Sequence, residues 1–87
     1  MFLSGLCINC KEGCKECAMM LGLAKKEIRK GHVKQVEREM RAITCGADPT
    51  TPEYACYVEP CKDFRRIMTR LKRGDSLVQL CMDYGFC

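Results

Sequence analysis

Apolar and polar residues follow one another along this chain with the three-and-four step of an α-helix. Positions 3, 7, 10, 14, 17, 21, 24 and 28 are Leu, Cys, Cys, Cys, Cys, Leu, Ala and Ile. This seam predicts a first helix from about residue 4 to residue 30. Gly13 and Gly22 fall inside it, each costing about 1 kcal/mol relative to Ala and able to bend it, and Gly31 supplies the stop. Val33, Val36, Met40 and Ile43 repeat the spacing on a second helix. It should end near Cys45, because Gly46 follows and Pro49 cannot continue it. Residues 46–52 read as a turn. Tyr54, Tyr57, Cys61, Phe64, Met68 and Leu71 mark one face of a third helix, with Arg65, Arg66, Arg70 and Lys72 elsewhere, and Gly74 closes it. Asp75 or Ser76 can cap a short last helix carrying Leu77, Leu80, Cys81 and Tyr84, ended by Gly85. There is no strand alternation, internal repeat or low-complexity linker. The expected fold class is all-α, a compact disulfide-linked bundle of four or five amphipathic helices.

Length and composition sharpen this picture. The 87 residues suit one domain, residues 1–87, and a domain this small buries proportionally little surface, so cross-links become part of its stability. Nine cysteines amount to about a tenth of the chain, the level of an oxidised, exported scaffold, although an intracellular metal protein can also reach it. No stretch approaches the roughly 20 apolar residues of a membrane span, and the run at Phe2, Leu3 and Leu6 is too short for a signal-peptide core. A secreted form would therefore have lost its signal, and ending on Cys87 fits a domain excised from a precursor. The expected location is secreted or lumenal, in vesicles or lysosomes.

The net charge of +4 is unevenly spread. Lys25, Lys26, Arg29, Lys30, Lys34, Arg38 and Arg41 face only Glu27, Glu37 and Glu39 in their segment, and Lys62, Arg65, Arg66, Arg70, Lys72 and Arg73 face Asp63 alone. Such faces attract anionic lipid or nucleic acid, or are simply solvated helix surface. His32, in a basic turn after Gly31, reads as solvent-exposed rather than as a ligand or base.

Six of the nine cysteines, Cys7, Cys10, Cys45, Cys56, Cys81 and Cys87, are separated by 2, 34, 10, 24 and 5 residues. That distribution suits a disulfide framework better than a nucleophile with its base. Cys14, Cys17 and Cys61 are additional. They read as buried apolar thiols, or as a fourth disulfide from Cys61 to Cys14 or Cys17 that leaves one thiol to link two chains as a homodimer. A competing reading takes Cys7, Cys10, Cys14 and Cys17 as four thiolates for zinc or an iron–sulfur cluster. On a continuous helix their sulfurs would form a row about 15 Å long at 1.5 Å per residue, which cannot enclose one ion. A redox Cys-x-x-Cys lacks its strand and helix context. No phosphate loop, catalytic carboxylate pair or serine triad is present, so no enzymatic activity and no cofactor is expected.

The six-cysteine spacing on amphipathic helices resembles the saposin-like family over essentially the whole chain. The likeness is clearest in the intervals from Cys45 to Cys56, Cys81 and Cys87, and in the ends Cys7-Ile8-Asn9-Cys10 and Cys81-Met82-Asp83-Tyr84-Gly85-Phe86-Cys87. The interval from Cys10 to Cys45 is several residues longer than that family's. The resemblance implies a closed or hinged helical bundle with first-to-sixth, second-to-fifth and third-to-fourth disulfides, here Cys7–Cys87, Cys10–Cys81 and Cys45–Cys56. It also implies work on lipids or membranes: presenting lipid to hydrolases, permeabilising microbial membranes, or membrane targeting.

On this reading Lys25, Lys26, Arg29, Lys30, Lys34, Arg65, Arg66, Arg70 and Arg73 contact anionic headgroups. Leu21, Leu23, Ile28, Val36, Met40, Ile43, Tyr57, Phe64, Met68, Leu71 and Leu77 line a lipid-facing surface or form the core. The expected partner is anionic lipid or a membrane surface. A disulfide-stapled protein-interaction module that never opens onto lipid is the alternative, with a thiolate metal protein behind it. Nucleic acid is not expected, since no recognised reading motif accompanies the basic faces.

Overall fold

Three glycines punctuate the chain where the apolar periodicity breaks. The computed structural model describes residues 10–87. A 3₁₀ turn, Cys10–Gly13, leads into α1 (Cys14–Arg29), followed by α2 (Val33–Cys45), α3 (Tyr54–Lys62), α4 (Phe64–Arg73) and α5 (Leu77–Asp83), and no strand occurs among the described residues. Gly31 and Gly74 take φ of +91°, the left-handed conformation that lets a chain leave a helix without a Cβ clash. After α4, the Gly74 N–H donates to Leu71 O at 3.2 Å and the Asp75 N–H to Arg70 O at 3.1 Å, a Schellman closure. The start of α5 is fixed by Ser76, whose Oγ accepts the Gln79 backbone N–H at 3.2 Å.

The first helix is shorter than its seam suggests. Of the predicted 4–30 span, residues 4–9, with Cys7, lie outside the described residues, while residues 10–13 form the 3₁₀ turn and the α-helix begins after Gly13. Gly22 stays helical, and a Cβ there would meet Leu77 Cδ1 at an ordinary 3.8 Å. The predicted third helix is two. Pro60 has no N–H to return to Cys56 O, and Asp63 leaves helical geometry (φ −97°, ψ 19°) three residues later, ending α3 and starting α4.

The core collects Leu21 and Ala24 of α1, Val36 and Met40 of α2, Phe64, Met68 and Leu71 of α4, and Leu80 and Cys81 of α5. Helix α1 packs most extensively on α5, and α2 on α3, while α4 touches α1, α2 and α3. Four disulfides tie this core down: Cys10–Cys56, Cys14–Cys87, Cys17–Cys81 and Cys45–Cys61. They place the chain in an oxidising, extracellular or lumenal environment.

The expected pairing is therefore corrected. Cys87 joins Cys14 rather than Cys7, Cys81 joins Cys17 rather than Cys10, and Cys45 joins Cys61 rather than Cys56. Nor does Cys61 reach Cys14 or Cys17. The physical reason is register. Cys7 and Cys10 precede Cys14 and Cys17 by seven residues, two helical turns, so both pairs fall on one seam and periodicity cannot choose between them. On α3, Cys56 and Cys61 are five residues apart, about 140° around the helix at roughly 100° per residue. Only one of them can face Cys45, and it is Cys61 in the last turn. The outcome is a nested set of three, with separations of 73, 64 and 16 residues, crossed by Cys10–Cys56.

Candidate functional site

Where the five helices converge they leave a cavity of about 110 Å³. Its walls include Met20 and Leu21 of α1, Met40 of α2, Tyr57 and Pro60 of α3, Phe64 and Ile67 of α4, Leu80 of α5, and Tyr84 and Phe86 just beyond it. Thr44, which also lines it, and Tyr84 turn their hydroxyls to other work. Thr44 Oγ1 donates to Met40 O at 3.0 Å, and Tyr84 Oη donates to Asp63 Oδ2 at 3.1 Å. Burial, with the Asp63 contact behind it, raises the Tyr84 phenol above its ordinary pKa. No buried side-chain N or O lacks a partner among the described residues, and the cavity presents almost entirely hydrocarbon and aromatic surface. The exposed Glu16 marks its solvent side.

Of the predicted lining residues, Leu21, Met40, Tyr57 and Phe64 reach the cavity, whereas Val36, Met68 and Leu71 are sealed in the core. Ile28 and Leu77 are half-buried against that core. Two are corrected: Ile43 is 41% exposed and Leu23 63%. Thr44, four residues after Met40, takes the inward position that Ile43 was given, and Leu23 lies about 200° around α1 from Leu21. Ile67, Pro60, Tyr84 and Phe86 were not anticipated as lining. Ile67 had a signal, standing three residues after Phe64 and four before Leu71.

The cations divide. Lys26, Arg29, Lys34, Arg65 and Arg66 are exposed, and Lys25 is half-buried. Lys30 Nζ instead lies 3.2 Å from Glu27 Oε2, and His32 Nδ1 lies 2.8 Å from Glu27 Oε1, which, His32 foremost, holds that carboxyl below its usual range. Arg70 is corrected as a headgroup contact. Its side chain is 18% exposed, with Nε donating to Asp75 Oδ2 at 3.0 Å and Nη1 to Asp83 Oδ2 at 2.8 Å. Arg73 Nη2 donates to the same Asp75 oxygen at 2.7 Å. Arg73 and then Arg70 hold the Asp75 carboxyl far below the usual carboxylate range, so this clamp between α4 and α5 survives mild acidity. Arg41, unanticipated, lies with its guanidinium carbon 4.5 Å from the centre of the Phe64 ring and roofs that wall.

The four-thiolate alternative does not survive, because Cys10, Cys14 and Cys17 are each in a disulfide to a different element. No helix among the described residues is long and apolar enough to cross a membrane. Comparison of the chain with family models, curated proteins and solved structures finds no match.

Proposed function

We propose that this chain is a secreted or lumenal saposin-like protein without enzymatic activity of its own, which binds anionic lipid and inserts at membrane surfaces. The observation that carries the reading is the cavity, walled almost entirely by apolar surface, inside a helical bundle held by nested disulfides. A first-to-last, second-to-fifth, third-to-fourth nesting on Cys14, Cys17, Cys45, Cys61, Cys81 and Cys87 supports the family resemblance, with a starting register seven residues later than the spacing suggested. Exposed Lys26, Arg29, Lys34, Arg65 and Arg66 draw the protein to anionic headgroups. The exposed apolar side chains Met19 and Leu23 of α1, and Val78 and Met82 of α5, then enter the interface. On membranes of microbial composition the same steps would permeabilise the bilayer.

The test is co-sedimentation with vesicles of phosphatidylglycerol against vesicles of phosphatidylcholine. The wild type binds the anionic vesicles, and Arg65→Glu with Arg66→Glu weakens that binding at least about tenfold, at roughly 1 kcal/mol per basic side chain near the surface. Arg70 is left out of this variant because it holds α5. Equal binding to both vesicle types, or no change in the double variant, would sink the electrostatic step.

One observation favours a second reading. The cavity of about 110 Å³ is smaller than the roughly 150 Å³ that holds a benzene-sized guest, so a bundle that stays closed serves as a protein-interaction module. No binding to vesicles of either composition would select it.

A further inference from the structure

The disulfides sort the helices into two covalently joined pairs. Cys14–Cys87 and Cys17–Cys81 join α1 to α5 and the end of the chain, and Cys45–Cys61 joins α2 to α3. The cavity lies between the pairs, with Leu21 and Leu80 on one side and Met40 and Tyr57 on the other. Its depth offers a guest little beyond van der Waals contact, since the Thr44 and Tyr84 hydroxyls are committed to Met40 O and Asp63. A polar group carried inside would go unpaired, so the part of a guest that enters is hydrocarbon. At about 110 Å³ the space falls below the roughly 150 Å³ that accepts benzene, which favours the end of a narrow unbranched chain over a ring.

The mouth of the cavity is charged, and its sign opposes that of the chain. Among the described residues Glu16 is the one charged side chain in the lining, and it is exposed, in a protein of net charge +4. Its carboxylate has no hydrogen-bond or ion-pair partner among the described residues. Lys15 precedes it but projects about 100° away around α1 and takes no part in the lining. Glu16 also stands in the turn of α1 between Cys14 and Cys17, which are bonded to Cys87 and Cys81. Its backbone is therefore held in place before any guest arrives, so little ordering cost falls on binding.

We propose that the cavity binds the tail of an unbranched alkylammonium amphiphile, with the cationic nitrogen at the Glu16 carboxylate. The proposal rests on the apolar-ligand reading above and adds the charge of the head. Anionic lipid is met outside the cavity, at exposed cations such as Arg65 and Arg66, none of which lines it. An alkyl carboxylate entering tail first would set its own charge beside Glu16 and be repelled. An ammonium there gains an ion pair while keeping contact with water.

The experiment titrates the full chain, its disulfides intact and its methionine methyl groups labelled with carbon-13, at neutral pH and low salt. The probes are hexylammonium, hexanol and hexanoate, which share one tail and differ in the head. The methyl signals of Met20 and Met40, which line the cavity, should shift, while those of the exposed Met19 and Met82 should not. Hexylammonium should bind about threefold more tightly than hexanol and hexanoate about threefold more weakly, the effect of one exposed charge pair. Glu16→Gln should bind the three probes alike and hexanol as the wild type does. Its helical circular dichroism should match the wild type, since the side chain it replaces is exposed.

Equal affinity of the wild type for the three heads, or a preference that persists in Glu16→Gln, would overturn the role of Glu16 while leaving the apolar-ligand reading in place. Shifts confined to Met19 and Met82, or no binding of any probe, would remove that reading and the proposal together.

Discussion

Replacing Cys17 and Cys81 together by Ala should lower stability by about 4 kcal/mol, within the range for removing a native disulfide from a small domain. For a chain of this size that is a fall in unfolding temperature of more than about 15 °C. Cys81 is fully buried in the core, so loss of the two sulfurs also leaves a void. The same pair of substitutions at Cys45 and Cys61 closes a separation of only 16 residues and should cost about 3 kcal/mol. Thermal unfolding followed by circular dichroism, without reductant, gives the order directly. A larger loss at Cys45 and Cys61 than at Cys17 and Cys81 would contradict the placement of Cys17–Cys81 in the core.

The second large effect belongs to Leu71. Its side chain is 1% exposed where α4 meets the core. Leu71→Ala should cost about 3 to 5 kcal/mol through lost burial and the cavity left behind. That is a large share of the roughly 5 to 15 kcal/mol that holds a domain together. Leu23→Ala, at a leucine 63% exposed on α1, should change stability by no more than about 0.5 kcal/mol. Denaturant titration should show the midpoint of Leu71→Ala shifted well below that of Leu23→Ala at a similar slope. Comparable midpoints would mean that the α4 seam does not face the core as described.

Local features were legible in the sequence because they depend on neighbours in the chain. Gly31, Gly74 and Gly85 end helices as glycines do, and Ser76 caps α5 through Gln79 three residues on. The seam positions Leu21, Val36, Met40, Phe64, Met68 and Leu71 are all buried. The break at Asp63 had a local signal in Pro60, which the run of apolar residues at helical spacing concealed.

What depended on tertiary arrangement was not legible. Two cysteine pairs offset by two turns look alike to any periodic pattern, so the choice of Cys14 and Cys17 over Cys7 and Cys10 emerges only when α5 is docked on α1. Arg70 was counted among surface cations because its partner Asp83 is thirteen residues away and meets it only when α5 folds back. The cavity exists because Tyr57 meets Tyr84 and Phe86 from a segment more than twenty residues earlier, and no periodic pattern links the two.

The nested framework beginning at Cys14 is what divides the helices into two pairs and places the cavity between them. Peptide mapping of the native protein, alkylated in acid and digested without reductant, tests it most directly. The links expected are Cys14–Cys87, Cys17–Cys81 and Cys45–Cys61, with Cys7, Cys10 and Cys56 outside the nested set. Recovery of Cys7–Cys87, Cys10–Cys81 and Cys45–Cys56 instead would contradict the framework, and with it the placement of the cavity.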